Sequence, residues 1–267
     1  MLDNVHRFTC EEDIEGAVIR VLDDEELTLD EFLEPAHRPV GGSAYRFAYT
    51  CCYLRHRGKH ILIDAGFDPD TPPGALESIG VNAAQIDLVL LTHADRDHVA
   101  GLLMPDGTFT YPNAQHVIGL DLWDHLRRPE TLEALAQLGE ERQAFYRKLV
   151  RAFDSHLQLA DGEKPVAAGI GYIPCPGHRI GHGVYELQTS GAPLLHTGDA
   201  FFHPLFAEHP DWPNVTDSLP DQAVNSRRAL VARAADTEAL VLSTHIPFPG
   251  IGRIERDGDG FRWVEGL

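Results

Sequence analysis

Basic residues are scarce in this chain: 22 lysines and arginines stand against 41 aspartates and glutamates, for a formal net charge of -19. Such a surface repels phosphate backbones and anionic bilayers, so neither nucleic acid nor a membrane is an expected partner, and a small-molecule substrate is. A bound cation could still create a local positive centre that the global charge does not describe. The acidity alone also fits a solvated surface or a salt-adapted host. Cysteine is sparse too, with only Cys10, Cys51, Cys52 and Cys175 and no Cys-x-x-Cys pair. Cys51 and Cys52 would face opposite sides of a strand, so the four read as reduced, buried thiols rather than a disulfide framework. No stretch approaches 18 uninterrupted apolar residues, and no apolar signal core follows Met1, so neither membrane insertion nor export is signalled and the cytoplasm is expected. Repeats, low-complexity tracts, phosphate-binding glycine loops and a Gly-x-Ser-x-Gly nucleophile motif are all missing. Nothing in the pattern specifies an oligomeric state.

The 267 residues, 43% of them hydrophobic, can bury one substantial core or two fused halves. The first third reads as β-structure. Phe47 to Leu54, the turn Arg57-Gly58-Lys59, and His60 to Ile63 predict a hairpin ending at Asp64-Ala65-Gly66. Ile86 to Leu91 is nearly continuous in apolar residues, as in a strand buried on both faces, and it delivers Thr92-His93 at its C-terminal end. Leu120 to Leu126 and Thr131 to His156 carry helical spacing, with Leu132, Leu135, Leu138, Phe145, Leu149 and Phe153 as a core-facing stripe. Strands are expected again at Val184 to Leu187 and Leu194-Leu195, a helix over Gln222 to Ala235, and a final strand over Ala239 to Leu242 before Thr244-His245. The order suggests two β-rich halves between helices.

Chemistry concentrates in His93-Ala94-Asp95-Arg96-Asp97-His98, where four potential ligands fall within six residues directly after the buried strand. Imidazole nitrogens and carboxylate oxygens are the ligand set for zinc and other first-row divalent ions. A helix-capping turn would need one aspartate and would explain neither histidine. With Pro176-Gly177-His178, Thr197-Gly198-Asp199 and Ser243-Thr244-His245 following in order, the chain resembles the metallo-β-lactamase superfamily over about residues 45 to 250. Leu62-Ile63-Asp64-Ala65-Gly66 is similar to that family's early strand-turn element. His245-Ile246-Pro247-Phe248-Pro249-Gly250-Ile251-Gly252 looks closest to the branch containing methyl parathion hydrolase and lactonase-like enzymes.

The resemblance implies an α/β fold, a four-layer αββα sandwich formed as a single domain over residues 1–267, with an N-terminal extension over about 1–42 and a helical insert over about 120–157. It implies two divalent metal ions, zinc first, with manganese or iron accommodated. His93, Asp95 and His178 would hold the first, Asp97, His98 and His245 the second, and Asp199 would bridge them. These residues must therefore meet at one point, with His245 within about 10 Å of His98 to share a site built on roughly 2 Å bonds. The departure lies at position 95, where the family usually carries histidine and this chain carries aspartate; the carboxylate adds one negative charge and one hard oxygen to the first site. The activity implied is hydrolysis of an ester, lactone, thioester, β-lactam or phosphoester by a metal-activated hydroxide, with Asp97 as the catalytic residue orienting it and moving the proton. Two rivals are a diiron redox enzyme with a separate reductase partner and a non-catalytic binding protein that keeps the fold. His182 and His196 stand beside ligand positions and are candidates to support the ligands from behind, although structural or surface roles are the plainer reading. Cys175 reads as a buried inert thiol, and Phe201, Phe202 and Phe248 read equally as pocket lining or core.

Overall fold

The computed structural model describes residues 4–38, 44–137, 139–153 and 157–266. Seven strands form a first sheet in sequence order: β1 (Val5–Cys10), β2 (Ile14–Thr28), β3 (Ala44–His56), β4 (Lys59–Ile63), β5 (Leu88–Leu90), β6 (Gln115–Gly119) and β7 (Leu157–Ala160). A second seven-stranded sheet comprises β8 (Pro165–Ala167), β9 (Ile170–Pro174), β10 (Gly183–Leu187), β11 (Leu194–His196), β12 (Leu240–Leu242), β13 (Ile251–Asp257) and β14 (Gly260–Glu265). Helices α1 (Thr71–Ser78), α2 (Arg96–Val99), α3 (Leu120–Leu126), α4 (Pro129–Gln137) and α5 (Glu140–Phe153) belong to the first half, and α6 (Pro204–Glu208) and α7 (Pro220–Asp236) to the second.

Alternation along the shortest strands explains the layering. Leu88 and Leu90 of β5, Ile61 and Ile63 of β4, and Leu240 and Leu242 of β12 fill one core between the sheets. The intervening Leu62 and Val89 face the opposite way, into a core capped by Leu76 of α1, Trp123 of α3 and Leu149 of α5. Val241 does the same in the second sheet, against Phe206 of α6 and Val231 of α7. A strand buried on both faces must be apolar at every position, and a period of two divides its residues between two cores. The result is the expected αββα sandwich. Cys51 and Cys52 follow the same rule and enter different cores; all four cysteines are free and buried.

The expected hairpin forms, with Arg57 (φ 49°) and Gly58 (φ 76°) in the left-handed region that a two-residue turn between antiparallel strands requires. Several sequence expectations need correction. Ala239 to Leu242 does not contain the final strand, since β13 and β14 extend the second sheet beyond it. Thr131 to His156 is two helices, because Gly139 (φ 124°) separates α4 from α5; Leu138 and His156 lie outside the described residues. Residues 5–28, expected only as part of an extension, form β1 and β2 at the edge of the first sheet. The charged run Asp23-Asp24-Glu25-Glu26 in the outer part of β2 hides its strand character.

Strands β4 and β5 run parallel, as do β11 and β12. Their C-terminal ends release Asp64, Thr92-His93, Thr197-Gly198-Asp199 and Thr244-His245, and β9 leads into the loop carrying His178. That loop is seated on α7 by Gly177, whose φ is 139° and where a Cβ atom would stand 2.1 Å from the Ala223 backbone nitrogen. Gly177→Ala is expected to cost about 3 kcal/mol in chemical denaturation, combining backbone strain with an unrelieved backbone clash. Gly258→Ala, at a left-handed position with open space around it, is expected to cost only about 1 kcal/mol.

Candidate metal centre

Each histidine at the strand ends is fixed from behind. His98 Nδ1 lies 2.8 Å from Asp64 Oδ2, His178 Nδ1 3.2 Å from Asp217 Oδ1, and His245 Nδ1 2.7 Å from the Ala48 carbonyl oxygen. These acceptors bind the Nδ1 proton and turn Nε2 towards the centre, where it offers a lone pair once the ring is neutral. His93 Nδ1 is 3.1 Å from Thr92 Oγ1, whose own hydroxyl donates to Asp64 Oδ2, so it too is turned with Nε2 forward.

All four Nε2 atoms converge on Asp199. Its Oδ1 is 3.3 Å from His98, and its Oδ2 is 3.2 Å from His245, 3.5 Å from His178 and 3.8 Å from His93. Asp97 Oδ2 faces His98 and His245 at 3.3 Å each. Asp95 Oδ2 faces His93 and His178 at 3.7 Å each. The structure therefore brings together all seven residues singled out in the sequence. Among the described residues three overlapping groups could hold a metal ion: His93, Asp95 and His178; His93, His98 and Asp199; and Asp97, His98 and His245. Asp95 stands at the N-cap of α2 but its side chain makes no capping bond, so it is not held there as a helix cap.

The donor atoms suit a cation because they have nothing else to bind. His93 Nε2, His98 Nε2, His178 Nε2 and Asp199 Oδ1 are buried with no hydrogen-bond partner, and each such atom ordinarily costs about 1–3 kcal/mol. Charge is held there by mutual pairing. Desolvation would raise the Asp97 carboxyl, but His98 and His245 hold it far below the usual carboxylate range. Asp199 is lowered in the same way against its burial, by His245, His98 and His93. Burial opposes the charge on His245, yet Asp199 and Asp97 push it up to about 9. A divalent cation would take over from those protons and release them.

Four further residues support the ligands. Asp64, at φ 59°, accepts bonds from the Thr92 backbone and hydroxyl as well as from His98. Asp217 sits between His178 and the buried Arg227, whose Nη2 is 2.9 Å from Asp217 Oδ2. His182 Nε2 accepts from the Asp199 backbone N–H at 3.1 Å, so this residue positions the central carboxylate. Arg179 grips Asp95 with both arms, Nε to Oδ1 at 2.9 Å and Nη2 to Oδ2 at 2.7 Å. Asp64, at the end of a buried strand, and His182, beside a ligand position, carried a signal in the sequence; Asp217 and Arg179 carried none. His196 is buried and weakly linked to the Gly198 N–H at 3.4 Å, while burial pushes the Cys175 thiol up to about 12. Phe201 and Phe202 belong to the core beneath α6 and α7. Phe248 packs against the core between the sheets and under the Arg20 guanidinium.

The model of the metallo-beta-lactamase superfamily matches residues 44–245. The chain belongs to that superfamily. It is 27% identical over 155 residues to "Probable metallo-hydrolase Rv2300c" of Mycobacterium tuberculosis, a match covering 54% of this chain and 46% of the relative. The chain thus spans about half the length of the curated relatives it matches. Among solved structures, hydrolase AbOPH of the beta lactamase superfamily superposes with a TM-score of 0.82 at 22% identity, covering 100% of this chain and 99% of that one. AidC, described as a dizinc quorum-quenching lactonase, gives 0.81 at 21% identity, covering 99% of this chain and 98% of its own.

Removing Asp217 would strand the buried Arg227 and free the His178 ring together. Asp217→Ala is therefore expected to cost about 3–5 kcal/mol, the scale for breaking a buried ion pair, read from the shift in urea midpoint.

Proposed function

We propose that this protein is a binuclear metal-dependent hydrolase in which His93, Asp95 and His178 hold one cation, Asp97, His98 and His245 hold a second, and Asp199 bridges them. The observation that carries this reading is the set of buried, unpartnered imidazole nitrogens around Asp199. Zinc suits the nitrogen-rich donor set, and the carboxylates of Asp95 and Asp97 also accommodate manganese or iron. Divalent cations in such a centre lower the pKa of water towards about 7 and polarise a carbonyl or phosphoryl oxygen.

The protein's own contribution is position and proton handling. Asp97 and Asp95 both line a cavity of about 620 Å³, which also carries Phe67, Leu122, Leu126 and Ile180. The same wall carries Arg96, Arg142 and Arg179, so it suits a small molecule with an apolar arm and a polar or anionic reacting group. The resemblance of residues 245–252 to the branch containing methyl parathion hydrolase and lactonase-like enzymes supports a lactone, ester or phosphoester as the substrate. Asp97 is the group placed to take the proton from attacking water and pass it to the leaving oxygen. The net charge of -19 favours a small molecule over nucleic acid. Among the described residues no helix is long and apolar enough to cross a membrane.

Asp97→Asn is expected to fold normally and to lose at least about a hundredfold in kcat/KM on lactone or ester substrates. Near-normal turnover in the folded variant would refute the role of Asp97. Stripping the protein with a chelator is expected to abolish hydrolysis and lower Tm by roughly 5–10 °C, since saturation at about 100 times Kd contributes about 2.7 kcal/mol. An unchanged melting curve would contradict a bound cation.

A further inference from the structure

The two halves of the centre differ in one respect that their ligand types conceal. Among the described residues Asp97 Oδ2 pairs with the imidazoles of His98 and His245, whereas Asp95 is already engaged by a fixed cation. Arg179 Nη2 lies 2.7 Å from the same Oδ2 that faces His93 and His178, and its Nε completes a bidentate pair with Oδ1. The guanidinium cannot swing clear without losing other anchors. Its Nη1 donates to the His178 carbonyl at 2.7 Å and the Thr216 carbonyl at 2.9 Å, and reaches Ser218 Oγ at 3.4 Å. Nor can it give up its charge, since guanidinium stays protonated throughout the accessible pH range.

A cation bonded to Asp95 Oδ2 at roughly 2 Å would therefore sit within a few ångströms of a permanent positive charge. The oxygen retains a lone pair for it, so ligation remains open, but the carboxylate's charge is already neutralised. The negative charge that Asp95 brings to its half of the centre is cancelled by Arg179; the corresponding charge of Asp97 is not. Asp199 is common to both halves and does not alter the comparison.

We propose that Arg179 makes the His93, Asp95 and His178 group the weaker of two cation sites, so that the Asp97, His98 and His245 group fills first and the Asp95 group second. This rests on the metal-centre reading above. Arg179 is an affinity-setting and positioning residue: it acts on the cation through Asp95.

The test is titration of the metal-free protein with Co(II) and with Zn(II) against a competing chelator, following the cobalt absorption bands and the heat of binding. The wild type is expected to show two steps separated by at least about tenfold in Kd. Arg179→Gln should tighten the weaker step by at least about tenfold and leave the stronger one within about threefold. Arg179→Lys keeps the charge and should keep the separation. Asp95→Asn should remove the weaker step alone, which assigns that step even if Arg179→Gln folds poorly by circular dichroism. A weaker step that is unchanged or further weakened in folded Arg179→Gln would overturn the proposal, because it would mean Arg179 serves only to hold the loop around His178. Loss of the stronger step in Asp95→Asn would overturn it equally. Failure of the wild type to take up any cation would instead overturn the metal-centre reading itself.

Discussion

The centre of this molecule is a concentration of polar groups that the protein alone does not satisfy. Asp199 stands within hydrogen-bonding or near-contact range of four imidazole nitrogens, three of which have no hydrogen-bond partner. A folded chain ordinarily avoids such an arrangement, because each buried unsatisfied atom is costly. Here the arrangement is enforced from outside. Asp64, Asp217 and the Ala48 carbonyl hold the far side of three rings, and these anchors are held in turn by Thr92 and by the buried Arg227. Rigid outer bonds on unsatisfied inner atoms mean that the cost is retained in the metal-free fold and released when a cation enters.

The architecture serves that enforcement. Three-residue strands buried on both faces place their C-terminal ends at one rim of the sandwich, and the ends of β4, β5, β11 and β12 supply most of the groups. Gly177 lets the His178 loop lie directly on α7, where Ser226 Oγ donates to the Pro176 carbonyl at 2.7 Å. Helices α3, α4 and α5 contribute Leu122 and Leu126, Leu135, and Tyr146 to the cavity beside the centre, and the Tyr146 hydroxyl donates to the Ala94 carbonyl at 2.5 Å. The wall of the cavity and the turn bearing Asp95 and Asp97 are thereby tied together.

Local pattern was legible in the sequence wherever it was itself local. His93-Ala94-Asp95-Arg96-Asp97-His98 announces its chemistry by density, and the apolar runs around Leu88 and Leu240 reveal strands buried on both sides. The supporting residues were not legible because their meaning is tertiary: Asp217 matters only because Arg227 and His178 are beside it, and Arg179 only because its arms reach Asp95 across 84 positions. His182 read as an ordinary structural histidine, and its bond to the Asp199 backbone gives it a more specific task. Strands β1, β2, β6 to β9, β13 and β14 were not marked in the sequence; in the second half of β2 and in β13 and β14, charged residues interrupt the alternation that marks a half-buried strand.

Anomalous X-ray diffraction from crystals grown with zinc, collected on both sides of the zinc edge, tests the central claim most directly. The account predicts two peaks in the sandwich rim, one within about 2.0–2.2 Å of His93 and His178 Nε2 and one at the same distance from His98 and His245 Nε2, with Asp199 between them. Absence of both peaks, or water hydrogen-bonded to those nitrogens in their place, would contradict it.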